Sequence, residues 1–322
     1  VNTPLTQKER FMPTFGVIYG NRDFFPDHLV TDARKQMADI FARHNIEAIQ
    51  LSENDSKLGG VETHAEAARC ADLFRKHRDA IDGVLVILPN FGDERGVLDT
   101  LKLSKLDVPV LVQAYPDAPD KLKPGMRRDS WCGKISVCNN LQQRGIPYSL
   151  TGTHVIDPAS DAFAQDLQKF IAVCRVVKKV RSARVGAVGA RPGAFNTVRY
   201  SEKLLERTGI EVITCDLSEI QAECVKMNGS DKAVQAKIEQ IRQYANAEAV
   251  PETPLESMAK LGVALDAFAA ENSLDCMALQ CWTNLQHNFG CNACTVMSMM
   301  SNNLFPNGCE VDVTGVLSMY AI

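Results

Sequence analysis

Apolar residues recur in two rhythms along this chain. "TFGVIYG" (14–20), "GVLVILPN" (83–90) and "VPVLVQA" (108–114) are short, nearly unbroken apolar runs that end in glycine or a polar turn. Such runs predict strands buried on both faces. Around them lie longer stretches with apolar positions three and four apart, "LVTDARKQMADIFARH" (29–44), "VETHAEAARCADLFRKH" (61–77) and "ERGVLDTLKL" (94–103), with "IEAIQL" (46–51) as a further short strand. Strand and helix alternate, which predicts a parallel sheet with helices on both faces.

A long helical stretch, "DAFAQDLQKFIAVCRVVKKVRSA" (161–183), follows the loop "YPDAPDKLKPGMRRDSWCGK" (115–134) and reads as a bridge; its basic end suits a helix C-terminus. A second series then starts with "RVGAVGA" and "EVITCDL", runs through helices at 230–245 and 254–272, and closes with "CMALQC", a helix within "NACTVMSMMSNNLF" and "GCEVDV". The expected fold is α/β, with two Rossmann-like doubly wound parallel-sheet domains over residues 1–175 and 176–322. In open parallel sheets ligands sit beyond the carboxyl ends of strands. "GNR", "PNFGDE", "ARPGAFNT" and "WTNLQHN" all fall there.

Composition narrows the function classes. With 322 residues, 45% hydrophobic and 23% charged, the chain can bury two cores. Its net charge of −4 gives no general drive toward nucleic acid or an anionic membrane. No apolar run reaches a membrane span, and "VNTPLTQKER" lacks the apolar centre of a signal peptide, so a cytoplasmic protein is expected. Most of the eleven cysteines sit inside apolar segments as small buried thiols. Cys281, Cys291, Cys294 and Cys309, with the C-x-x-C "CNAC", leave a metal-thiolate site open, although a structural zinc site usually has two such knuckles.

"NGCEVDVTG" (307–315) sets Glu310 and Asp312 two positions apart. On a strand from Cys309 to Val313 the two acids would share a face, where burial and mutual repulsion favour a bound cation or a shared proton. An edge strand with a solvated face accounts for this stretch equally well. The apolar "VTGVLSMYAI" then stops without a polar last turn, which leads us to expect a further domain beyond Ile322.

Together, "GNRDFFP", "LPNFGDE", "RRDSWCGK", "GARPGAFNTVRYSEKLLE" and "CWTNLQ…CEVDVTG" resemble the L-fucose isomerase and L-arabinose isomerase superfamily along the whole chain, most closely its shorter fucose-isomerase-like members. The resemblance implies a metal-dependent aldose–ketose isomerase using Mn2+ or another divalent cation such as Mg2+. It also implies two α/β domains followed by a β-barrel domain that this chain lacks, and trimers or hexamers with shared active sites. On that resemblance Glu310 is both metal ligand and proton-transfer base, with the remaining ligands beyond Ile322. Asp312 then supports Glu310 or meets a sugar hydroxyl, and Arg22 reaches a neighbouring subunit's site. Moving a carbonyl from C1 to C2 needs a base for the C2 proton and a cation to stabilise the oxyanion, roles a carboxylate beside a hard cation fills.

Trp282 and Gln286 are the candidates to stack on and hydrogen-bond a sugar, against an ordinary core role for the tryptophan. Arg191, Asn196 and Thr197 form a candidate anion cradle, which lacks the full G-x-G-x-x-G pattern. Arg127, Arg128 and Lys134 near Trp131 are candidates for a sugar, an anion or an oligomer contact, and His287 reads as structural or solvated. A non-catalytic sugar-binding or regulatory protein on the same scaffold is the alternative function. No residue names the sugar.

Overall fold

Alternate residues of the first strand face opposite ways, and both directions are apolar. In a computed structural model describing residues 12–322, the chain divides after Lys178 into two compact units. The segment "VNTPLTQKER" lies outside the described residues. The first unit runs β1 (Thr14–Tyr19), α1 (His28–His44), β2 (Glu47–Ile49), α2 (His64–Lys76), β3 (Gly83–Leu88), α3 (Glu94–Ser104), β4 (Val110–Ala114), α4 (Ser130–Gln143), β5 (Ser149–Leu150) and α5 (Asp161–Val180), the last residues of which cross into the second unit. All sheet pairings are parallel, in the order β2-β1-β3-β4-β5.

Phe15, Val17, Tyr19, Leu85 and Ile87 pack on one face with Val30, Met37 and Ile40 of α1 and Phe163, Leu167 and Phe170 of α5. Ile18, Val84, Val86 and Leu88 pack on the other with Phe74, Val97, Leu101, Val137 and Leu141 of α2, α3 and α4. Each such side chain contributes about 1.5–3 kcal/mol by leaving water. The continuous apolar runs are therefore what a sheet covered on both faces requires. Thr63 and Glu66 form a reciprocal capping box that starts α2, and Asp93 accepts from the Gly96 N–H at 2.8 Å to start α3.

The second unit runs β6 (Arg184–Val188), α6 (Glu202–Glu206), β7 (Glu211–Cys215), α7 (Leu217–Lys226), α8 (Lys232–Tyr244), α9 (Glu252–Glu271), β8 (Cys276–Leu279), α10 (Cys294–Asn302), β9 (Asn307–Cys309) and α11 (Val313–Ala321). Its four parallel strands lie in the order β7-β6-β8-β9. Val188, Met277 and Leu279 face α7, α9 and α10, whereas Val185, Ala187, Cys276 and Ala278 face α11. Each unit is thus a doubly wound parallel sheet, and in each the chain runs to one side of its first strand and then crosses to the other. The crossing opens a crevice between β1 and β3 in one unit and between β6 and β8 in the other.

Three local expectations change. "SWCGK", expected within a loop, forms the first turn of α4, where a Cβ on Gly133 would lie 1.9 Å from the Phe91 carbonyl oxygen. The anion cradle at "GARPGAFNT" does not form: a three-residue 3-10 turn (Asn196–Val198) follows in place of a helix, and Arg191 donates to the Pro192 and Phe195 carbonyls of its own loop. Finally, β9 ends at Cys309, so no strand carries Glu310 and Asp312. Glu310 and Val311 take left-handed φ values of 60° and 56°, and Asp312 caps α11 by accepting from the Gly315 N–H at 2.8 Å. The alternation of "CEVDV" imitates a strand, while the close start of α11 forces a turn. Among the described residues no helix is long and apolar enough to cross a membrane.

Candidate active site

At the crevice of the first unit the polar groups answer one another. Asn21 after β1 and Asn90 after β3 are both fully buried. Asn90 Nδ2 donates to Asn21 Oδ1 at 2.6 Å, Asn90 Oδ1 accepts from the Gly92 N–H at 3.0 Å, and Asn21 Nδ2 donates to Glu62. Arg22, next along, donates through Nε to the Gly92 carbonyl at 2.9 Å and lies 4.5 Å over the Phe91 ring. This holds the guanidinium at the carboxyl edge of the sheet, half-exposed, with its other N–H groups available. Trp131 is exposed against His154, Arg128 donates to the Pro89 carbonyl at 2.8 Å, and Lys134 is fully buried with Nζ donating to Thr151 Oγ1 at 2.7 Å. Of that basic group, Lys134 is therefore engaged inside the unit.

At the carboxyl edge of the second unit the arrangement is open. Leu279 of β8 pairs with Cys309 of β9, so Cys281, two residues beyond, comes beside the left-handed turn at Glu310. The Cys281 thiol donates to Glu310 Oε1 at 2.8 Å. Glu310 Oε2 is buried and has no hydrogen-bond partner. One ligand atom from each of Cys281, Cys309 and Glu310 lies within 4.8 Å of the others. Burial and the hydrogen bond to Glu310 push the Cys281 thiol up to about 12, so at neutral pH it is a proton donor and not a competing anion.

Trp282, the residue after Cys281, is 53% exposed, with its ring 5.4 Å from that of Phe195. Gln286 lies in a π-helical turn (Leu285–Phe289), and its amide oxygen is buried without a partner. His287 in the same turn is exposed. Gln280 accepts from the Ala190 N–H at 2.8 Å and donates to the Trp282 carbonyl at 3.1 Å, tying the loop after β6 to the loop after β8. Gly189 permits this closeness with a φ of +84°, since a Cβ there would strike Gln280 at 2.6 Å. Beside this link a cleft of about 470 Å³ opens between the ends of β6 and β7 and the start of α7, lined in part by Thr214, Asp216, Gln221 and Asn284.

The structure thus gathers Glu310 with the segment that carries Trp282 and Gln286, while Arg22 belongs to the other unit. Asp312 commits one carboxylate oxygen to the α11 cap. Cys281 and Cys309 are the neighbours of Glu310, and Cys291 and Cys294 do not join them. The sequence named all four cysteines, with the C-x-x-C among them; the β8–β9 register shows that Cys281 and Cys309 are the two beside Glu310.

For a divalent cation on Glu310, the fit rests on the buried, unpartnered Oε2: an orphaned carboxylate oxygen is an acceptor without a donor, which a cation satisfies.

Two parallel α/β sheets with the open polar groups of the second unit at the strands' carboxyl ends define a protein of the doubly wound α/β class. Comparison with known proteins supplies the family. A model described as fucose/sulfoquinovose isomerase, N-terminal domain, matches residues 16–181, just over half of the chain, and the chain belongs to that family. It is similar to the sulfoquinovose isomerase of Priestia aryabhattai, 26% identical over 246 residues covering 75% of this chain and 52% of the relative. The sulfoquinovose isomerases of Clostridium sp. (strain MSTE9), 26% identical over 51% of this chain and 36% of theirs, and Alkalicoccus urumqiensis, 24% identical over 68% and 48%, are similar as well. The chain spans about half the length, or less, of these relatives.

Proposed function

We propose that this chain supplies the proton-transfer carboxylate and part of the sugar pocket of a metal-dependent aldose–ketose isomerase. The observation that carries the reading is the buried, unpartnered Oε2 of Glu310 at the carboxyl edge of the second sheet. A bound Mn2+ or Mg2+ would supply charge stabilisation for the oxygens at C1 and C2 of the sugar. Glu310 would help to hold that ion and would take the C2 proton and return it to C1 through an enediol. The Cys281 thiol, on Oε1, keeps the carboxylate turned so that Oε2 stays free. The left-handed backbone at Glu310 and Val311 costs roughly 1–2 kcal/mol per residue, a strain that buried packing of Val311 maintains and that fits a side chain placed for chemistry.

Trp282 offers an exposed ring for the apolar face of a sugar, Gln286 an unused amide oxygen for a hydroxyl, and Asp312 fixes the turn that presents Glu310. Arg22 would act across a subunit boundary in a trimer or hexamer in the cytoplasm. The names of the relatives make sulfoquinovose the first sugar to try, ahead of fucose and arabinose.

The test uses the full-length protein that contains this sequence, incubated with each aldose in deuterated solvent and followed by NMR for ketose and for deuterium at C1 of the ketose and at C2 of the recovered aldose, with and without chelator. We expect ketose and label, both lost on chelation and restored by Mn2+. Glu310→Gln should lower turnover by about 10²–10⁴-fold with the fold intact. Label incorporation that persists in the variant would remove Glu310 from the proton-transfer role.

A further inference from the structure

Two aromatic rings meet at the carboxyl edge of the second sheet. The exposed Trp282 ring lies 5.4 Å from that of Phe195, with the planes tilted by 58°. One ring comes from the loop after β6 and the other from the loop after β8, so neither is placed by a helix or a strand. Gln280 joins the two loops. Its backbone N–H donates to the Val188 carbonyl at 2.8 Å, its Oε1 accepts from the Ala190 N–H at 2.8 Å, and its Nε2 donates to the Trp282 carbonyl at 3.1 Å. Among the described residues no other hydrogen bond joins residues 189–198 to residues 280–289. Arg191 ties the rest of the first loop to itself, donating to the Pro192 and Phe195 carbonyls at 2.9 and 3.1 Å, while the Phe195 N–H donates to the Pro192 carbonyl at 3.0 Å.

We propose that Gln280 is a positioning residue for sugar binding: through its side-chain amide, Phe195 and Trp282 form a two-walled apolar corner that receives the C–H face of the sugar. The identity of the ligand rests on the isomerase reading above, whereas the link between the loops rests on the geometry alone. A carboxamide carries an acceptor and a donor on one planar group, so a single side chain answers a backbone N–H of one loop and a carbonyl of the other. An ionised glutamate keeps the acceptor and loses the donor, and methionine, of similar length, has neither in useful strength. A tilted aromatic pair is a favourable arrangement but a weak one, too weak to fix two loops by itself. With the amide in place both rings are ordered before the sugar arrives, and binding does not have to immobilise them. Trp282 also adjoins Cys281, whose thiol donates to Glu310 Oε1, so a fixed Trp282 stands in a fixed relation to the carboxylate. The effect falls on affinity rather than on chemistry, because the Gln280 amide is engaged with backbone groups and makes no hydrogen bond to Glu310.

The experiment has two arms. The chain has two tryptophans, so Trp131→Phe leaves Trp282 as the sole reporter. In that background, time-resolved fluorescence anisotropy of this chain without sugar should show a larger fast-decaying fraction for Trp282 in Gln280→Met and in Gln280→Glu than with glutamine in place. In the full-length protein, with the aldose that it isomerises, Gln280→Met should raise KM about tenfold while kcat stays within about twofold, and Phe195→Leu should do the same. Trp282 motion that is equal in all three proteins would overturn the positioning role. So would wild-type motion and KM in Gln280→Glu, since the acceptor alone would then suffice, or a fall in kcat at constant KM, which would put Gln280 in the chemistry. The anisotropy arm uses no sugar, so it decides the positioning role even where no aldose is turned over. If Gln280→Met fails to fold, Phe195→Leu, in an irregular surface loop, carries the test: an unchanged KM and unchanged Trp282 motion would remove the corner.

Discussion

The loops after β1 and β3 and the loops after β8 and β9 face the same architectural situation: parallel strands end, and polar chain must turn at the edge of a buried sheet. The first pair resolves it by closure. Asn21 and Asn90 pair their amides with each other, with Glu62 and with the Gly92 N–H, and Arg22 is braced on Gly92 and Phe91. The second pair leaves Glu310 Oε2 and the Gln286 amide oxygen buried and unanswered. Closure stabilises, because the buried amides of Asn21 and Asn90 each meet a partner. Openness costs stability and survives where a ligand completes the set. The contrast explains why the carboxylate of the second unit is the better candidate for chemistry, while the asparagines of the first read as framework.

The comparison breaks most visibly at Glu310, where the loss is expected in turnover rather than in stability. Next comes Lys134, the buried cation that the first unit answers with a single hydroxyl, that of Thr151. Burial lowers its pKa from the ordinary 10.5 to about 8. Between those values the unfolded chain holds a proton on this side chain that the folded chain has shed. The lysine's contribution to stability therefore rises with pH through that window. Below it, the cost of burying the charge, about 3 kcal/mol, is fully present. Wild type should thus gain about 3 kcal/mol on Lys134→Met between pH 7 and pH 10.5, read by denaturant unfolding at each pH. A difference that stays flat would mean that Lys134 keeps its ordinary pKa when folded.

Asn90→Ala tests closure directly. It strips the partner from Asn21 Oδ1 and from the Gly92 N–H and should cost about 2 kcal/mol in unfolding free energy. If the midpoint does not move, water answers those groups as well as the side chain does, and the contrast between the two edges weakens.

The sheets were legible because strands buried on both faces must be continuously apolar, and "GVLVIL" has no other economical reading. Helix α4 was less so: "SWCGKISVCNNLQQ" carries polar residues on both sides of its apolar stripe, and its start depends on Gly133 meeting Phe91, a contact between segments far apart in sequence. At the site, Glu310 was legible through the likeness of "CEVD" to a known family, not through its periodicity, which indicated a strand. Cys281 was already a candidate thiol, but its contact with Glu310 was hidden, because only the pairing of Leu279 with Cys309 brings it to the carboxylate. Spacing along a chain reports local contacts, and this cluster is a product of register.

Asp312 gives the smallest expected effect and the finest test of how the open edge is held. Its carboxylate accepts from the Gly315 N–H and starts α11, whose Val316 and Leu317 pack beneath the second sheet. Asp312→Ala removes that cap and should cost about 1 kcal/mol, with Asp312→Asn recovering most of it, as measured by thermal unfolding of the chain. The cap ties the C-terminal end of the Glu310 turn to the helix, so in the full-length protein the same alanine variant should also lower turnover, while the asparagine variant restores it. Equal turnover in wild type and Asp312→Ala would show that Val311 packing alone holds Glu310 in its left-handed turn, leaving Asp312 with the helix and nothing more.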